Sequence, residues 1–249
     1  MECRSDHRGW SEAEVHESYR MVLVRSGRFR RRVAGVAADI TPTSAYLGVP
    51  GEEEHFAHPA GGDVCTSIGL TPELWRSLAG ESSRPRPTAY VDAQLDLAHR
   101  RVLATMATGD AGYALTEQLL GLLTTALTQV VDGRTPSEAP PATAVLVSAA
   151  REAIAAGHPA ARGLLPLAEL LGVSPYRLSR AFPLLLGVSL TRYRNRVRVG
   201  QALDRLEQGE RSLGELAADL GFADQAHLCR TVRAHLGHTP TELRRLLAA

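Results

Sequence analysis

A repeated pattern of short helix, tight turn and second helix most constrains how the C-terminal part of this chain can fold. The first copy turns at Gly172-Val173-Ser174-Pro175, where Ser174 suits a helix N-cap and Pro175 the first helical position. About fifty residues later, Gly221 ends another short helix and a second one begins near Asp224. Two such units predict an all-α region.

Apolar residues at helical spacing separate a core face from an outer face in each unit. Leu178 and Phe182 are four residues apart, as are Leu228 and Val232, so each pair is expected to face a core. The residues expected to face outward are Tyr176, Arg177, Ser179 and Arg180 in the first unit and Gln225, Ala226, Cys229, Arg230 and Arg233 in the second. Because Arg can pair with guanine and Gln with adenine in the major groove, these faces are candidates to read base edges.

Helix boundaries around the two units are also marked in the sequence. Ser212-Leu213-Gly214-Glu215 and Thr239-Pro240-Thr241-Glu242 have the pattern of capping boxes, in which the first and fourth residues bond reciprocally. Between the units, Ser189 to Leu206 is an uninterrupted helical stretch. At 1.5 Å per residue it spans about 25 Å, and neighbouring major grooves lie about 34 Å apart.

Residues 164–246 resemble the DNA-binding domain of the AraC family of bacterial regulators. The residues that carry the resemblance are Leu167–Ala168, Gly172–Phe182, Gly187–Ser189, Tyr193, Arg196–Arg198, Ala202, Ser212–Leu213, Glu215, Ala217, Gly221–Gln225, His227, Arg230, Gly237–Pro240 and Arg244. The resemblance implies that Tyr176, Ser179 and Arg180 face DNA from the first unit. It implies the same for Gln225, Ala226, Cys229 and Arg230 from the second, and structural roles for Arg196 and Arg198.

Two departures from the family pattern carry predictions of their own. Pro183 stands where the family usually has a basic or polar residue, and it predicts that the first recognition helix is truncated or kinked. Ala223 replaces a usual Ser, which predicts a weaker cap before the second recognition helix.

The N-terminal part of the chain has a strand pattern followed by a helical one. The candidate strands are residues 19–24, 29–33, 36–40, 45–49 and 64–70. Short strands at this spacing predict a small β barrel or sandwich. From Thr88 the apolar period becomes helical, and one apolar helix is expected from about Tyr113 to Val131. The resemblance implies a cupin-like barrel with following helices, so the predicted class is α+β.

The predicted domain organisation has two parts joined by a Pro- and Gly-containing linker. The predicted segments are a cupin-like sensor or dimerisation domain at 1–131 (strands about 19–70, helices about 88–131), a linker at 132–144, and an AraC-type DNA-binding domain at 145–249, with helix-turn-helix units at about 164–183 and 212–236. This division is expected from the composition of the linker.

Charge is divided unevenly between the two parts. The formal net charge is +1 and every basic residue is Arg. Residues 145–249 hold 14 Arg against 9 acidic residues, whereas residues 1–144 hold 14 Arg against 18. A basic part joined to an acidic part is typical of a DNA-binding domain attached to a domain with another task.

Candidate chemistry outside the C-terminal part is sparse. His55 and His58 could hold a metal with a nearby carboxylate, but on a strand their spacing points them to opposite faces. We therefore expect a polar loop there and no metal site. Arginines at 28 and 30–32 are expected to lie on a solvated strand and turn, and Cys65 is expected to be buried as a small apolar residue. With no phosphate loop, GxSxG or HExxH motif in the sequence, we expect neither an enzyme nor a cofactor.

The sequence thus predicts a cytoplasmic, sequence-specific transcription regulator, and the family resemblance favours an activator. The expected partners are double-stranded DNA, a second copy of the chain, RNA polymerase and a small-molecule effector. No apolar run reaches the roughly 18 residues of a membrane span, and the charged N-terminus does not resemble a secretion signal. One alternative is a metal-dependent enzyme barrel fused to a DNA-binding module. Another makes the N-terminal part a partner-binding module without a ligand pocket.

Overall fold

The computed structural model describes residues 2–3, 7–80, 88–107, 112–131 and 140–247. The chain divides into two compact units, Met1–Gly133 and Arg134–Ala249. The strands of the first unit are β1 (Glu2–Cys3), β2 (Glu14–Val15), β3 (Tyr19–Ser26), β4 (Phe29–Val33), β5 (Val36–Ile40), β6 (Ser44–Gly48), β7 (Glu53–Ala57), β8 (Asp63–Leu70) and β9 (Thr88–Tyr90). Its helices are α1 (Pro72–Ala79), α2 (Ala93–Ala107) and α3 (Tyr113–Val131).

These strands form two antiparallel sheets. One sheet has the order β1-β8-β3-β6-β9 and the other the order β2-β7-β4-β5. The predicted α+β class is confirmed, although the described strands form two separate sheets and not one closed barrel. All five strands expected from the sequence are present, with ends that differ by no more than two residues.

The strand β3 shows why the first unit has layers. Met21 and Leu23 belong to the apolar cluster that β3 forms with the three helices, whereas Val22 and Val24 belong to the cluster shared with the second sheet. Successive side chains of a strand point to opposite faces, so a strand buried on both faces must be apolar at every position. The four-residue apolar run meets that requirement.

The expectation of a polar loop around His55 and His58 is wrong at its centre, because Glu53–Ala57 is the strand β7 between β2 and β4. His55 Nδ1 lies 2.9 Å from the backbone oxygen of Ser11. His58 is buried, and its Nε2 lies 3.1 Å from Asp63. Across the described part of the chain, no group of three or more His, Cys, Asp or Glu side chains could hold a metal ion.

The arginine cluster is only partly solvated, which corrects the expectation for Arg31. Its side chain is buried, and its Nε donates to Glu54 at 2.7 Å. Arg30 and Arg32 point to the other side of β4 and flank the Trp10 ring at 5.2 and 4.6 Å. The period-two alternation of a strand therefore divides this run of three arginines between an inner and an outer face. Cys65 is buried, as expected.

The second unit is helical throughout its described secondary structure. Its elements are α4 (Pro141–Ala155), a 3₁₀ turn (Pro159–Arg162), α5 (Leu164–Leu170), α6 (Pro175–Leu186), α7 (Leu190–Glu207), α8 (Leu213–Asp219), α9 (Gln225–Leu236) and α10 (Pro240–Leu247). Of the predicted linker, residues 132–139 lie outside the described residues. Residues 141–144 belong to the first turn of α4, which the sequence did not predict. No helix in the described ranges is long and apolar enough to cross a membrane.

Candidate nucleic-acid interface

The two helices α6 and α9 occupy matching places in the two helix-turn-helix units. Each has 12 residues and ends at a glycine in the left-handed region, Gly187 with φ 71° and Gly237 with φ 74°. The N–H of Gly187 donates to the Pro183 carbonyl at 3.1 Å, and that of Gly237 to the Arg233 carbonyl at 2.8 Å. Glycine adopts this backbone conformation without a steric cost, so both helices stop at a defined place.

The predicted core faces of both helices are confirmed. Leu178 and Phe182 of α6 are buried, as are Leu228 and Val232 of α9. The Phe182 ring also lies 5.3 Å from the ring of Tyr193, which comes from α7. Because the core faces are fixed, the opposite faces of α6 and α9 are fixed as well.

Each of these helices begins at a side-chain cap. The Ser174 hydroxyl accepts from the N–H of Arg177 at 3.2 Å, as expected. At α9 the cap is Asp224, whose carboxylate accepts from the N–H of His227 at 2.6 Å. Ala223 lies one residue before the cap, so the prediction that it weakens the cap is wrong.

The prediction that Pro183 truncates the first recognition helix is also wrong. The helix α6 continues past Pro183 to Leu186. A proline has no N–H to donate to the carbonyl four residues earlier, here that of Ser179. The packing of Phe182 and the bond from Gly187 nevertheless hold the last turn together.

One of the two predicted capping boxes is complete. The N–H of Thr239 donates to Glu242 at 2.7 Å, and the N–H of Glu242 donates back to Thr239 at 3.3 Å. In the other, the N–H of Glu215 donates to Ser212 at 3.2 Å, but the N–H of Ser212 donates to Glu210. Glu210, which lies before the helix, therefore accepts from the N–H of Ser212 in place of Glu215, the acceptor in a complete capping box.

The structure places the sequence-predicted contact residues on the outer faces of α6 and α9. Cys229 is half-buried, and the other eight of the nine are exposed; these are Tyr176, Arg177, Ser179, Arg180, Gln225, Ala226, Arg230 and Arg233. Tyr176 is 71% exposed. The guanidinium carbon of Arg180 lies 5.7 Å from the centre of the Tyr176 ring, one helical turn away. An exposed aromatic ring can hold a cation in this way.

Three pairs of these residues stand fifty residues apart, at corresponding places of α6 and α9. The pairs are Tyr176 with Ala226, Ser179 with Cys229 and Arg180 with Arg230. One arginine therefore projects from the same turn of each helix, whereas the residues around it differ between the two units.

The helix α7 joins the two units and is buried on several sides. Arg196 is only 2% exposed, and Tyr193 accepts a hydrogen bond from Arg151 of α4 at 3.2 Å. Burial of Arg198, together with repulsion by Arg194 and Arg162, lowers its pKa to about 10. The 18 residues of α7 span about 27 Å at 1.5 Å per residue. Arg151 was missed by sequence reasoning, because no local pattern marks a contact between two distant helices.

Comparison with known proteins gives matches to this region. A helix-turn-helix domain family matches residues 167–246. Over 80 residues the chain is 30% identical to the bifunctional transcriptional activator/DNA repair enzyme AdaA of Bacillus subtilis (strain 168), which is 32% of this chain and 38% of that protein. Over 62 residues it is 40% identical to the uncharacterized HTH-type transcriptional regulator YbfI of the same organism, which is 25% of this chain and 22% of that protein.

A solved structure from Chromobacterium violaceum is also similar; it is described as a transcriptional regulator of the AraC-type DNA-binding domain-containing proteins. It is 25% identical, the match covers 44% of this chain and 97% of that chain, and the TM-score is 0.39. The chain spans less than two-fifths of the length of the two curated relatives. The matched residues, the two capped recognition helices and the family motifs agree: residues 167–246 are a helix-turn-helix domain of the AraC type.

Proposed function

We propose that this protein is a sequence-specific, DNA-binding regulator of transcription, not an enzyme, and that it acts as an activator. The observation that carries the proposal is the pairing of α6 and α9. Both helices have a fixed core face, a capped start and an exposed outer face with an arginine at the same place, Arg180 or Arg230. Helices of this kind enter major grooves with their first turns against the base edges.

The side chains on the outer faces of α6 and α9 support reading of the base sequence by both helix-turn-helix units. In this proposal Arg180 and Arg230 each bind guanine O6 and N7, and Gln225 binds adenine N6 and N7. Arg177 and Arg233 contact phosphates, which fix the position of each helix on the duplex. The remaining proposed contacts are Tyr176, Ser179, Ala226 and Cys229.

Charge supports the same assignment. Residues 145–249 carry five more basic than acidic residues. A net positive charge favours binding to DNA, since arginines placed near the phosphates release the counterions bound to the duplex.

The N-terminal unit has a separate role in the proposal. We assign residues 1–131 to sensing a small-molecule effector and to forming a homodimer, with the linker ending before α4, which begins at Pro141. A homodimer in the cytoplasm would place two DNA-binding domains on two half-sites. As an activator, the DNA-bound dimer would contact RNA polymerase.

The test is selection of binding sites from a random pool of duplex DNA at one fixed salt concentration. The wild type should enrich a site of two parts, whereas a variant with Arg180→Ala and Arg230→Ala should lose the preference. Each bidentate base contact contributes about 1–3 kcal/mol of discrimination. A control with two other exposed arginines replaced, Arg8→Ala and Arg101→Ala, should enrich the same site as the wild type. If the wild type enriches nothing, or the double variant selects the same site, the proposal is contradicted.

A further inference from the structure

The side chain of Arg198 reaches from α7 to the turn of the second helix-turn-helix unit. Arg198 is only 8% exposed. Its Nε donates to the backbone oxygen of Leu220 at 2.7 Å, and its Nη2 donates to the backbone oxygen of Gly221. Both acceptors lie at the end of α8, where helical carbonyls have no partner within the helix. A cation is also favoured at this end of a helix by the helix dipole.

The turn itself is built to receive this side chain. Gly221 has φ 70°, a conformation that favours glycine, and a Cβ on it would lie 2.8 Å from Nη2 of Arg198. The guanidinium carbon also lies 4.4 Å from the centre of the buried Phe222 ring. One planar group therefore contacts three successive residues of the turn, which only an arginine can do in this geometry.

The contacts continue into the recognition helix. The Phe222 ring packs edge-on against the ring of His227 at 5.4 Å. His227 is in the first turn of α9, and its N–H is the one that Asp224 caps. A physical path thus leads from α7, through Arg198 and Phe222, to the end of α9 that carries Gln225.

We infer that Arg198 is a positioning residue, which sets the orientation of α9 and thereby the base sequence that the second unit reads. This inference rests on the proposed function. Without the guanidinium, the turn loses its link to α7, although α9 keeps its own core residues Leu228 and Val232. We expect α9 to remain folded and to lose its fixed angle in the groove. Phosphate contacts tolerate such a change better than base contacts do, since they carry little sequence information.

The same helix provides a matched control in Arg205. This arginine also leads from α7 to residues beside α8, through Glu210, before the N-cap Ser212, at 2.6 Å and Asp219, the last residue of α8, at 3.2 Å. Its side chain is 36% exposed, and ion pairs at such sites contribute little to stability. Arg198 and Arg205 therefore differ in burial and in the kind of acceptor, but not in the helices that they join.

The experiment starts from the two-part site that the wild type enriches. Arg180→Ala and Arg230→Ala, tested separately, assign each part of the site to one unit. We then measure binding to the intact site, to sites with either part replaced, and to random duplex DNA. The proteins compared are the wild type, Arg198→Met, Arg198→Lys and Arg205→Met.

Arg198→Met should reduce the preference for the second part about tenfold, the size of one good base contact. Its preference for the first part and its affinity for random DNA should stay within about twofold, because α6 and the phosphate contacts are unchanged. Arg198→Lys should recover part of the loss, since it keeps the charge but not the planar fork. Arg205→Met should behave as the wild type.

Unchanged preference for the second part in Arg198→Met would overturn the inference. Equal loss at both parts, with a lower helical signal in circular dichroism, would also overturn it, because Arg198 would then only support folding. If Arg198→Met does not fold at all, Phe222→Leu is tested in its place, and intact discrimination in that variant counts against the inference. A wild type that enriches no site contradicts the proposed function instead, so the two failures are distinguishable.

Discussion

The carboxylate of Asp224 accepts a hydrogen bond from the backbone N–H of His227 at 2.6 Å. This bond satisfies one of the N–H groups that the first turn of a helix leaves without a helical partner. It also fixes where α9 begins, whereas the buried Leu228 and Val232 fix which residues face outward. The start of the recognition helix in the second unit therefore depends on one side chain outside the helix.

Replacing this cap should cost stability in a defined way. Asp224→Ala should lower the free energy of unfolding by about 1 kcal/mol, the usual cost of losing an N-cap. Ala223→Ser is the matched control and should change it little, because residue 223 lies outside the cap. Chemical denaturation followed by circular dichroism measures both. A stabilising Ala223→Ser would show instead that residue 223 takes part in the cap.

Removing a proline from α6 should stabilise the helix. Pro183→Ala restores an N–H that can donate to the carbonyl of Ser179, and we expect a gain of about 1–3 kcal/mol in the free energy of unfolding. Pro175→Ala, in the first helical position where proline is favourable, should give no gain. Equal effects of the two substitutions in denaturation experiments would argue against this explanation.

The ring of Tyr176 is expected to hold Arg180 in place for base reading. Tyr176→Ala should weaken the preference for the first part of the site by about 0.5–1 kcal/mol, the size of an exposed cation–π contact. Tyr176→Phe keeps the ring and should retain most of the preference. Binding to sites with single base changes measures this. If Tyr176→Phe weakens this preference as much as Tyr176→Ala does, the hydroxyl of Tyr176, not its ring, is the important group.

The first unit should lose stability in mild acid because of His99. Burial lowers the pKa of His99 to about 4, opposed in part by Asp96, and its Nε2 lies 2.8 Å from the Thr66 hydroxyl. The unfolded chain takes up the proton near pH 6.5 and the folded chain only near pH 4. The contribution of neutral, buried His99 to the free energy of unfolding is therefore fully present above about pH 6.5. It is lost as the pH falls to about 4, by on the order of 3 kcal/mol in total.

His99→Gln removes the titrating group and can keep a hydrogen bond to Thr66. Thermal unfolding of both proteins between pH 7 and pH 4 should therefore show a steeper loss of stability in the wild type. Carboxylates titrate in both proteins, so the difference between the two curves isolates His99. Parallel curves would contradict the assignment.

Sequence patterns predicted those elements whose cause is local. The strand β3 was found because it contains a short apolar run, and the start of α6 because Ser174 and Pro175 have the pattern of an N-cap and a first helical position. The strand β7 was missed because one of its two buried residues is Glu54, which looks like a surface residue until its partner Arg31 is known. That partner is 23 residues away on a neighbouring strand, and no short pattern encodes such a pairing.

In the candidate interface, too, the sequence predicted the features that have a local cause and missed those that depend on distant residues. Periodicity and caps placed the exposed residues of α6 and α9 correctly on the outer faces of their helices. The role of Arg198 could not be found in this way, because its acceptors are the backbone oxygens of Leu220 and Gly221. Every residue has a backbone oxygen, so such an acceptor leaves no signal in the sequence. Whether the exposed residues contact DNA remains a prediction.

The most direct test of the central claim is a comparison of Arg180→Ala and Arg230→Ala on systematically altered binding sites at constant salt. Each variant should relax discrimination by about 1–3 kcal/mol at its own part of the site and leave the other part as in the wild type. Uniformly weaker binding to all DNA in both variants would show that these arginines only contact phosphates. That result would contradict reading of base sequence by two recognition helices.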